Sequence, residues 1–382
     1  MKTLIMTVVG MLLLTISAEA RRLDRREFRQ RARIGEGVQS GDLNRGERRS
    51  LARLQINIER TERRAQRDGL VTADEKLKIE RMQDRAMQGK IIALATFDGL
   101  PELSDDDRLL KRELESGGAR VETPLWHDPE IEWGEFDAVV LRSVWDYHKR
   151  PQEFLNWLED LESENARVFN PLAALRWNFS KRYLLELETM GCPIVPSHIL
   201  KRGDRIDLAD FLTKNGWSEA VVKPVISASA LKTKRVAASD ARFFQKKFET
   251  WLEDGDLIVQ PFVPDILTAG EYSLLYFGSE YSHSVLKKPK DGDFRVQQEY
   301  GGRTASVQPP QDVKRLVDDL NQWLFEKFRE PMLFARFDIV TIDGKPAVGE
   351  IELIEPFLFF SYHGPSTGLF KKSLEKALKK AD

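Results

Sequence analysis

The chain has 382 residues, 41% of them hydrophobic and 31% charged, with a formal net charge of −2. This is the composition of a soluble globular protein of two or three domains. Its single cysteine, Cys192, excludes an intramolecular disulfide and a multi-cysteine metal site. The near-neutral total hides an asymmetry: residues 21–90 hold 20 Lys/Arg against 12 Asp/Glu, whereas residues 91–382 hold 38 against 48.

Residues 1–20 read as an export signal. Lys2 precedes an apolar run, Leu4–Ile16, that ends in Ala18-Glu19-Ala20. A basic start, a short hydrophobic stretch and an A-x-A site make a secretory signal peptide. The run is short for a transmembrane span, so no transmembrane segment is expected in the mature chain.

Residues 21–90 form a basic helical module that repeats at an offset of 28 residues. Gly41, Leu43, Asn44, Glu47 and Gln55 recur as Gly69, Val71, Thr72, Glu75 and Gln83. Asn44…Glu47 and Thr72…Glu75 are capping boxes that start helices. The pattern resembles the second half of an EF-hand loop, but the calcium positions hold Glu36, Val38 and Ser40, then Arg64, Gln66 and Asp68. A degenerate EF-hand-like pair without calcium is expected. It is either a solvated bundle or a surface for acidic polymers or anionic lipid, and no specific nucleic acid is expected.

Residues 91–175 read as an α/β domain. A buried strand at 90–95 precedes a helix over Asp105–Ser116, stopped by Gly117-Gly118. Strands follow at Arg120–Val121 and Phe136–Leu141. Strand–helix–strand spacing implies a parallel sheet, with ligands at the carboxyl ends of its strands. Arg142-Ser143-Val144-Trp145-Asp146-Tyr147 falls at such an end. Arg142, Ser143 and Asp146 would suit a small zwitterionic substrate; the alternative is a salt-bridged loop over packed aromatics.

Residues 176–382 carry the remaining signals. Asn178-Phe179-Ser180-Lys181 leads into a helix, and Glu219–Pro224 is a strand bearing Lys223. A small-residue loop, Ser227–Thr233, follows. Leu257–Val263 is a strand turning at Pro261, and Gly270-Glu271 comes after it. Lysines on two elements, with a flexible loop and a strand-end hinge, can hold a nucleotide, the ammonium groups meeting phosphates as point charges. The hinge backbone would read adenine and Glu271 the ribose. Downstream, the Gly-flanked Arg295, with Gly301 and Gly302, would reach a substrate carboxylate.

Met332–Phe359 reads as two strands joined at Asp343-Gly344. Arg336 and Asp338 share one face of the first, Glu350 and Glu352 one face of the second. Paired in register, three carboxylates and a guanidinium line one surface. Close carboxylates bind protons unless a cation sits among them, and oxygen-only ligands favour Mg2+, with Mn2+ as a substitute. The alternative is a solvated hairpin face.

Taken together, R-S-V-W-D-Y (142–147), N-F-S-K-R-Y-L (178–184), V-V-K-P (221–224), Q-P-F-V-P (260–264), G-E-Y-S (270–273), G-D-F-R-V-Q (292–297), A-R-F-D (335–338) and E-I-E-L-I-E-P (350–356) resemble an ATP-grasp ligase. The likeness is to the branch holding a cycloserine-forming cyclo-ligase and prokaryotic glutathione synthetase-like proteins. It implies an α/β ATP-grasp fold: an N-terminal parallel-sheet domain (91–175) before a nucleotide- and metal-binding domain (176–382). It further implies that Lys181 and Lys223 bind ATP and that Gln260, Pro261, Phe262 and Val263 form the adenine hinge. Glu271 would hold ribose, Asp338, Glu350 and Glu352 Mg2+, and Arg336 the transferred phosphate, with Lys223 alongside it.

The implied activity is ATP- and Mg2+-dependent carbon–nitrogen ligation of a small amino-acid-like substrate through an acyl phosphate. No Ser/His/Asp or Cys/His set competes with it. Two departures stand out. Glu352 replaces an asparagine common in the family, and Ser227–Thr233 lacks the glycines that bring backbone N–H groups onto phosphate. The second keeps open a catalytically impaired ATP-binding relic. The leader keeps open an exported envelope interaction protein, because ATP is scarce outside the cytosol; the ligase chemistry favours a cytoplasmic location instead. The sequence leaves the oligomeric state open, a dimer included.

Overall fold

The computed structural model describes residues 89–228 and 232–381. The leader and the helical repeat read from residues 1–88 lie outside the described residues.

In chain order the described elements are β1 (Ile91–Thr96), α1 (Asp105–Ser116), β2 (Arg120–Glu122), β3 (Ala138–Ser143), α2 (Pro151–Ser163), β4 (Val168–Phe169), α3 (Leu172–Asn178) and α4 (Tyr183–Thr189). Next come β5 (His198–Leu200), α5 (Leu208–Lys214), β6 (Glu219–Pro224), β7 (Lys234–Ala237), α6 (Ala241–Asp254) and β8 (Leu257–Pro261). The last are β9 (Glu271–Phe277), β10 (Glu280–Lys288), β11 (Arg303–Ser306), α7 (Gln311–Phe328), β12 (Phe334–Ile342), β13 (Lys345–Glu352) and α8 (Ser366–Ala381). They build three sheets. One is parallel, in the order β2-β1-β3-β4; two are antiparallel, β11-β10-β9-β12-β13 and β5-β8-β6-β7.

The local chemistry explains the elements. Helix α1 starts because the Ser104 hydroxyl accepts from the Asp107 N–H, and three aspartates in its first turn suit the helix dipole. Strands β1 and β3 are apolar and buried over nearly their whole length, as a parallel sheet covered on both faces requires. Above them, Trp126, Trp133, Phe154 and Trp157 fill the core of that domain. Strands β5–β8 bury a second core with Leu208, Leu212, Phe244, Phe248 and Trp251. Residues 364–368 contain the start of α8.

The five-stranded sheet has two unlike faces. Leu274, Tyr276, Ala335, Phe337, Ile339 and Ile351 share a core with Val313, Val317, Leu320 and Leu324 of α7. The opposite face carries charge. Strand β13 is the sheet's edge, where unpaired backbone groups are a liability. Here side chains cover it. The Asn178 amide brackets Ile351 O and Leu353 N, the Tyr183 hydroxyl meets Ile351 O and N, and Asn170 bonds Leu353 O and Phe334 O. The sequence 178–183 therefore fastens α3 and α4 to β13, which places Lys181 beside it.

Candidate active site

Strands β12 and β13 turn at Asp343 and Gly344, both at positive φ, as a two-residue hairpin loop requires. Counted back from that turn, a regular ladder would pair Asp338 with Gly349 and Arg336 with Ile351. Glu350 and Glu352 would then point to the other face. The ladder is not regular. It slips between Asp338 and Ile339, so that Ile339 faces Val348 while Asp338 faces Glu350 and Arg336 faces Glu352. Gly349 is the extra residue. This bulge puts both glutamates on the face of Arg336 and Asp338.

A second bulge recruits a lysine that the sequence reading did not single out. Strands β9 and β10 shift register between Tyr281 and His283, which sets Lys287 opposite Glu271. The Lys287 ammonium is ion-paired to Glu271 and lies 3.2 Å from Asp338 Oδ1. A regular ladder would have put Leu286 opposite Glu271 and turned Lys287 away.

The result is a buried array of charges. Arg336 bonds both oxygens of Asp338, with Nη2 3.0 Å from Oδ2, and also pairs with Glu352. The Ser273 hydroxyl donates to Asp338 as well. Lys181 Nζ is 2.6 Å from Glu350 Oε1 and donates to Ser227 O at 2.9 Å. Burial alone would raise the Asp338 carboxyl, yet Arg336 and Lys287 hold it well below the usual range. Glu350 is likewise held low by Lys181 and Lys223 against its burial. Burial would lower the Lys181 ammonium, and Glu350 more than reverses this. For Lys223 burial wins, and its pKa falls. Burial pushes Glu352 up to about 7 despite Arg336, and Glu355 up to about 8, with Glu352 adding to it. Carboxylates outnumber cations here, and burial raises the acids least offset by them.

These groups, Asp338 and Ser273 excepted, line a cavity of about 460 Å³, within the range of small-molecule sites. Lys181, Lys223, Gln260, Pro261, Phe262, Val263, Glu271, Arg336, Glu350, Glu352 and Arg295 all lie on its wall, with Lys287 and Glu355. Its other end is apolar, formed by Val195, Val221, Phe262, Val263, Ile266 and Val340. The Arg235 guanidinium stacks 3.7 Å from the Phe262 ring and is fixed by Glu219, which stiffens the hinge. The Phe262 N–H already donates to Glu219 O, and Gln260 Nε2 to the Ser197 hydroxyl, so neither group faces a ligand freely.

Several expected site residues are placed otherwise. Arg142 donates to Asp107 Oδ1 at 2.9 Å and to Pro356 O at 2.7 Å, and Ser143 donates to Asp107 Oδ2. Asp146 accepts from Trp126 Nε1 and pairs with Arg150. None of the three lines the cavity; from the same hexapeptide, Trp145 and Tyr147 do. Strand alternation and burial explain this: the motif's polar groups are drawn into the domain interior, where each needs a partner. Arg295 reaches the cavity wall but is bound to Asp293 and stacked 3.7 Å over Tyr300. Gly301 and Gly302 do not line the cavity. A Cβ on Gly302 would meet Val296 O at 2.1 Å, so this glycine permits a close backbone crossing.

The expected metal set is likewise not assembled as a vacant cage. Among the described residues no three His, Cys, Asp or Glu side chains converge as a metal site. Asp338, Glu350 and Glu352 lie together on one face, each held by a cation of the protein. The donor set nevertheless fits a hard divalent ion with a polyphosphate. Burial raises Glu352 to about 7 and Glu355 to about 8, which marks acid short of counter-charge, and the lysines and arginine now on carboxylates are phosphate-binding types. Gln297 Oε1 and Thr304 Oγ1 are buried at the cavity with no hydrogen-bond partner among the described residues.

The chain has relatives among known proteins. Residues 92–170 match the model of the N-terminal domain of D-cycloserine synthetase DcsG. The chain is 31% identical over 280 residues to the cycloserine biosynthesis protein DcsG of Streptomyces lavendulae, covering 69% of this chain and 90% of that one. It is 26% identical over 188 residues to the glutathione synthetase of Bordetella pertussis, covering 49% of this chain and 54% of that protein. The crystal structure of D-cycloserine synthetase DcsG superposes with a TM-score of 0.69 at 28% identity, over 75% of this chain and 99% of that one. D-alanine–D-alanine ligase from Bacillus anthracis shares the fold, with a TM-score of 0.56 at 15% identity over 77% of this chain and 99% of that one.

Proposed function

Because the chain belongs to the family of the cycloserine synthetase DcsG, ATP-grasp ligases that form carbon–nitrogen bonds, we propose that it activates the carboxylate of a small amino-acid-like substrate with ATP and passes the acyl group to an amine. The observation that carries this reading is the charged face of the five-stranded sheet. Lys181, Lys223, Lys287 and Arg336 stand among acids next to an apolar slot and a strand-end hinge.

In this reading adenine occupies the slot along Gln260–Val263. The Val263 N–H makes no backbone hydrogen bond among the described residues and is free to read the base. Lys181 and Lys223 take the phosphates, and Lys223, its pKa lowered by burial, gains most from an incoming anion. Glu271 takes the ribose hydroxyls once Lys287 turns from it toward phosphate. Asp338, Glu350 and Glu352 would hold Mg2+, which when bound neutralises phosphate oxygens and polarises the transferring group. Mn2+ would suit the same oxygen donors.

The substrate carboxylate attacks the terminal phosphorus and the bond to ADP breaks. The amine then attacks the acyl carbon, phosphate leaves with the bonding pair, and the amine loses a proton. The protein's part is to orient the acid and to offset charge with Arg336 and the lysines. Removing any one of these charge-assisted hydrogen bonds should slow turnover by about 10- to 100-fold.

The test is ADP release across acids and amines. Release confined to particular acid–amine pairs and abolished by Lys223→Met supports ligation. Nucleotide binding without ADP for any pair would support the relic that the glycine-poor 227–233 loop suggests. The location is open to the same kind of test. A mature terminus at Arg21 in an exported fraction would favour an envelope protein, whereas a cytosolic product fits the need for ATP.

A further inference from the structure

Glu355 stands apart from the acids around it. Among the described residues, Glu271 has Lys287, Asp338 has Arg336 and Lys287, Glu350 has Lys181 and Glu352 has Arg336. The Glu355 carboxylate makes no ion pair or hydrogen bond among them, yet it lines the cavity. Its position is firmly built. Trp145 Nε1 donates to the Glu355 carbonyl at 3.1 Å, Arg142 Nη2 to Pro356 O at 2.7 Å and Arg336 Nη1 to Phe357 O at 3.2 Å. Three consecutive carbonyls are thus gripped by three side chains, two of them from the parallel-sheet domain. A turn so held aims its one free carboxylate, and nothing among the described residues receives it.

The surroundings suit an organic cation. Trp145 and Tyr147 line the cavity beside Glu355, and the Tyr147 hydroxyl is buried close enough to feel its charge. Aromatic faces and a carboxylate together bind ammonium groups. The shared anchor at Phe357 ties this turn to Arg336. A molecule presenting a carboxylate toward Arg336 and an ammonium toward Glu355 would meet both signs of charge at once.

We propose that Glu355 is the residue that binds the ammonium group of the substrate, so that the acid activated at this site is one carrying a free primary amine. The proposal rests on the ligase reading and narrows it to amino acids over simple carboxylic acids. Burial pushes the Glu355 carboxyl up to about 8, the direction expected of a carboxylate with no cation beside it.

Hydroxylamine, a general nucleophile that traps acyl phosphates as hydroxamates, gives the test without knowledge of the natural amine. The full chain is assayed for hydroxamate and ADP with proteinogenic amino acids of both hands, each beside its deaminated counterpart. The expected result is turnover restricted to acids bearing a free ammonium. Glu355→Gln should raise KM for the best acid by about 10- to 100-fold while KM for ATP moves about twofold or less. Glu355→Asp, which keeps the charge, should recover part of the loss. Equal turnover of deaminated acids, or an unchanged KM in Glu355→Gln, overturns the assignment and leaves the ligase reading standing. So does an equal rise in KM for Mg·ATP, which would make Glu355 a metal-site residue. No hydroxamate from any acid, with ATP still bound, refutes the ligase reading and this assignment with it.

Discussion

Replacing Arg142 by methionine separates an interior brace from a substrate-binding role. The guanidinium is 1% exposed and its partner Asp107 2% exposed. Methionine fills much of the same volume but leaves Asp107 buried with only the Ser143 hydroxyl and frees the Pro356 carbonyl. Breaking a buried ion pair from one side costs about 3–5 kcal/mol. Residues 89–381 form one compact unit. A unit of that size has an unfolding entropy of about 0.6 kcal/mol/K, so the midpoint should fall by about 5–8 °C. Adding Asp107→Leu should restore part of that loss, because it removes the orphaned charge. Nucleotide affinity should stay within about twofold, since the nucleotide end of the cavity is untouched. Differential scanning fluorimetry with a fluorescent ATP analogue reads both quantities. An unchanged midpoint together with a hundredfold loss of acid-dependent turnover would refute the bracing role and return Arg142 to the substrate.

Other perturbations give distinct outcomes. Lys287→Met leaves Glu271 without its cation and should weaken ATP-analogue binding about tenfold or more; adding Glu271→Gln should recover thermal stability, and recovery of binding as well would exclude a phosphate role for Lys287. Gly302→Ala cannot keep the crossing against Val296 O, so KM for the acid should rise about tenfold while the midpoint moves only a few degrees; unchanged kinetics would separate that loop from the site. For pH, the folded pKa values of Glu352 and Glu355 lie above their ordinary 4.5, at about 7 and about 8. The stability held in their protonated forms is therefore complete below pH 4.5 and is lost as pH rises through 7 and 8. Asp338 and Glu350, whose pKa values are lowered, act oppositely: their contribution is complete above the ordinary carboxylate range and is lost only as pH falls. The ligand-free midpoint should consequently fall between pH 5 and pH 8, and Glu352→Gln should flatten part of that slope; a rising midpoint would contradict the assigned burial.

How far the sequence reaches is set by its bulges. Helix α1 was legible to the residue because a serine cap, an acidic first turn and paired glycines all mark the same ends. The hairpin of Arg336, Asp338, Glu350 and Glu352 was legible as alternation around Asp343-Gly344. Pairing the four on one face depended on the slip at Gly349, which alternation alone does not reveal. Lys287 was hidden for the same reason. It lies in Leu286-Lys287-Lys288-Pro289-Lys290, where any lysine could point inward, and the slip near Ser282 reverses the choice. Arg142, Ser143 and Asp146 misled because a polar cluster at a strand end looks alike whether it meets a ligand or the interior. Tertiary packing with Asp107, Trp126 and Pro356 made that choice. Glu355 was visible only as the last acid of E-I-E-L-I-E-P, and its significance came from having no partner among the described residues.

The central claim is that a carboxylic acid receives the terminal phosphoryl group of ATP at this face. Turnover of an acid labelled with heavy oxygen in its carboxylate measures that transfer directly, by mass analysis of the released phosphate. Transfer through an acyl phosphate moves one labelled oxygen from the acid into each phosphate released. Phosphate that carries label only when the solvent water is labelled would show that water, and not the acid, takes the phosphoryl group, and would contradict the account.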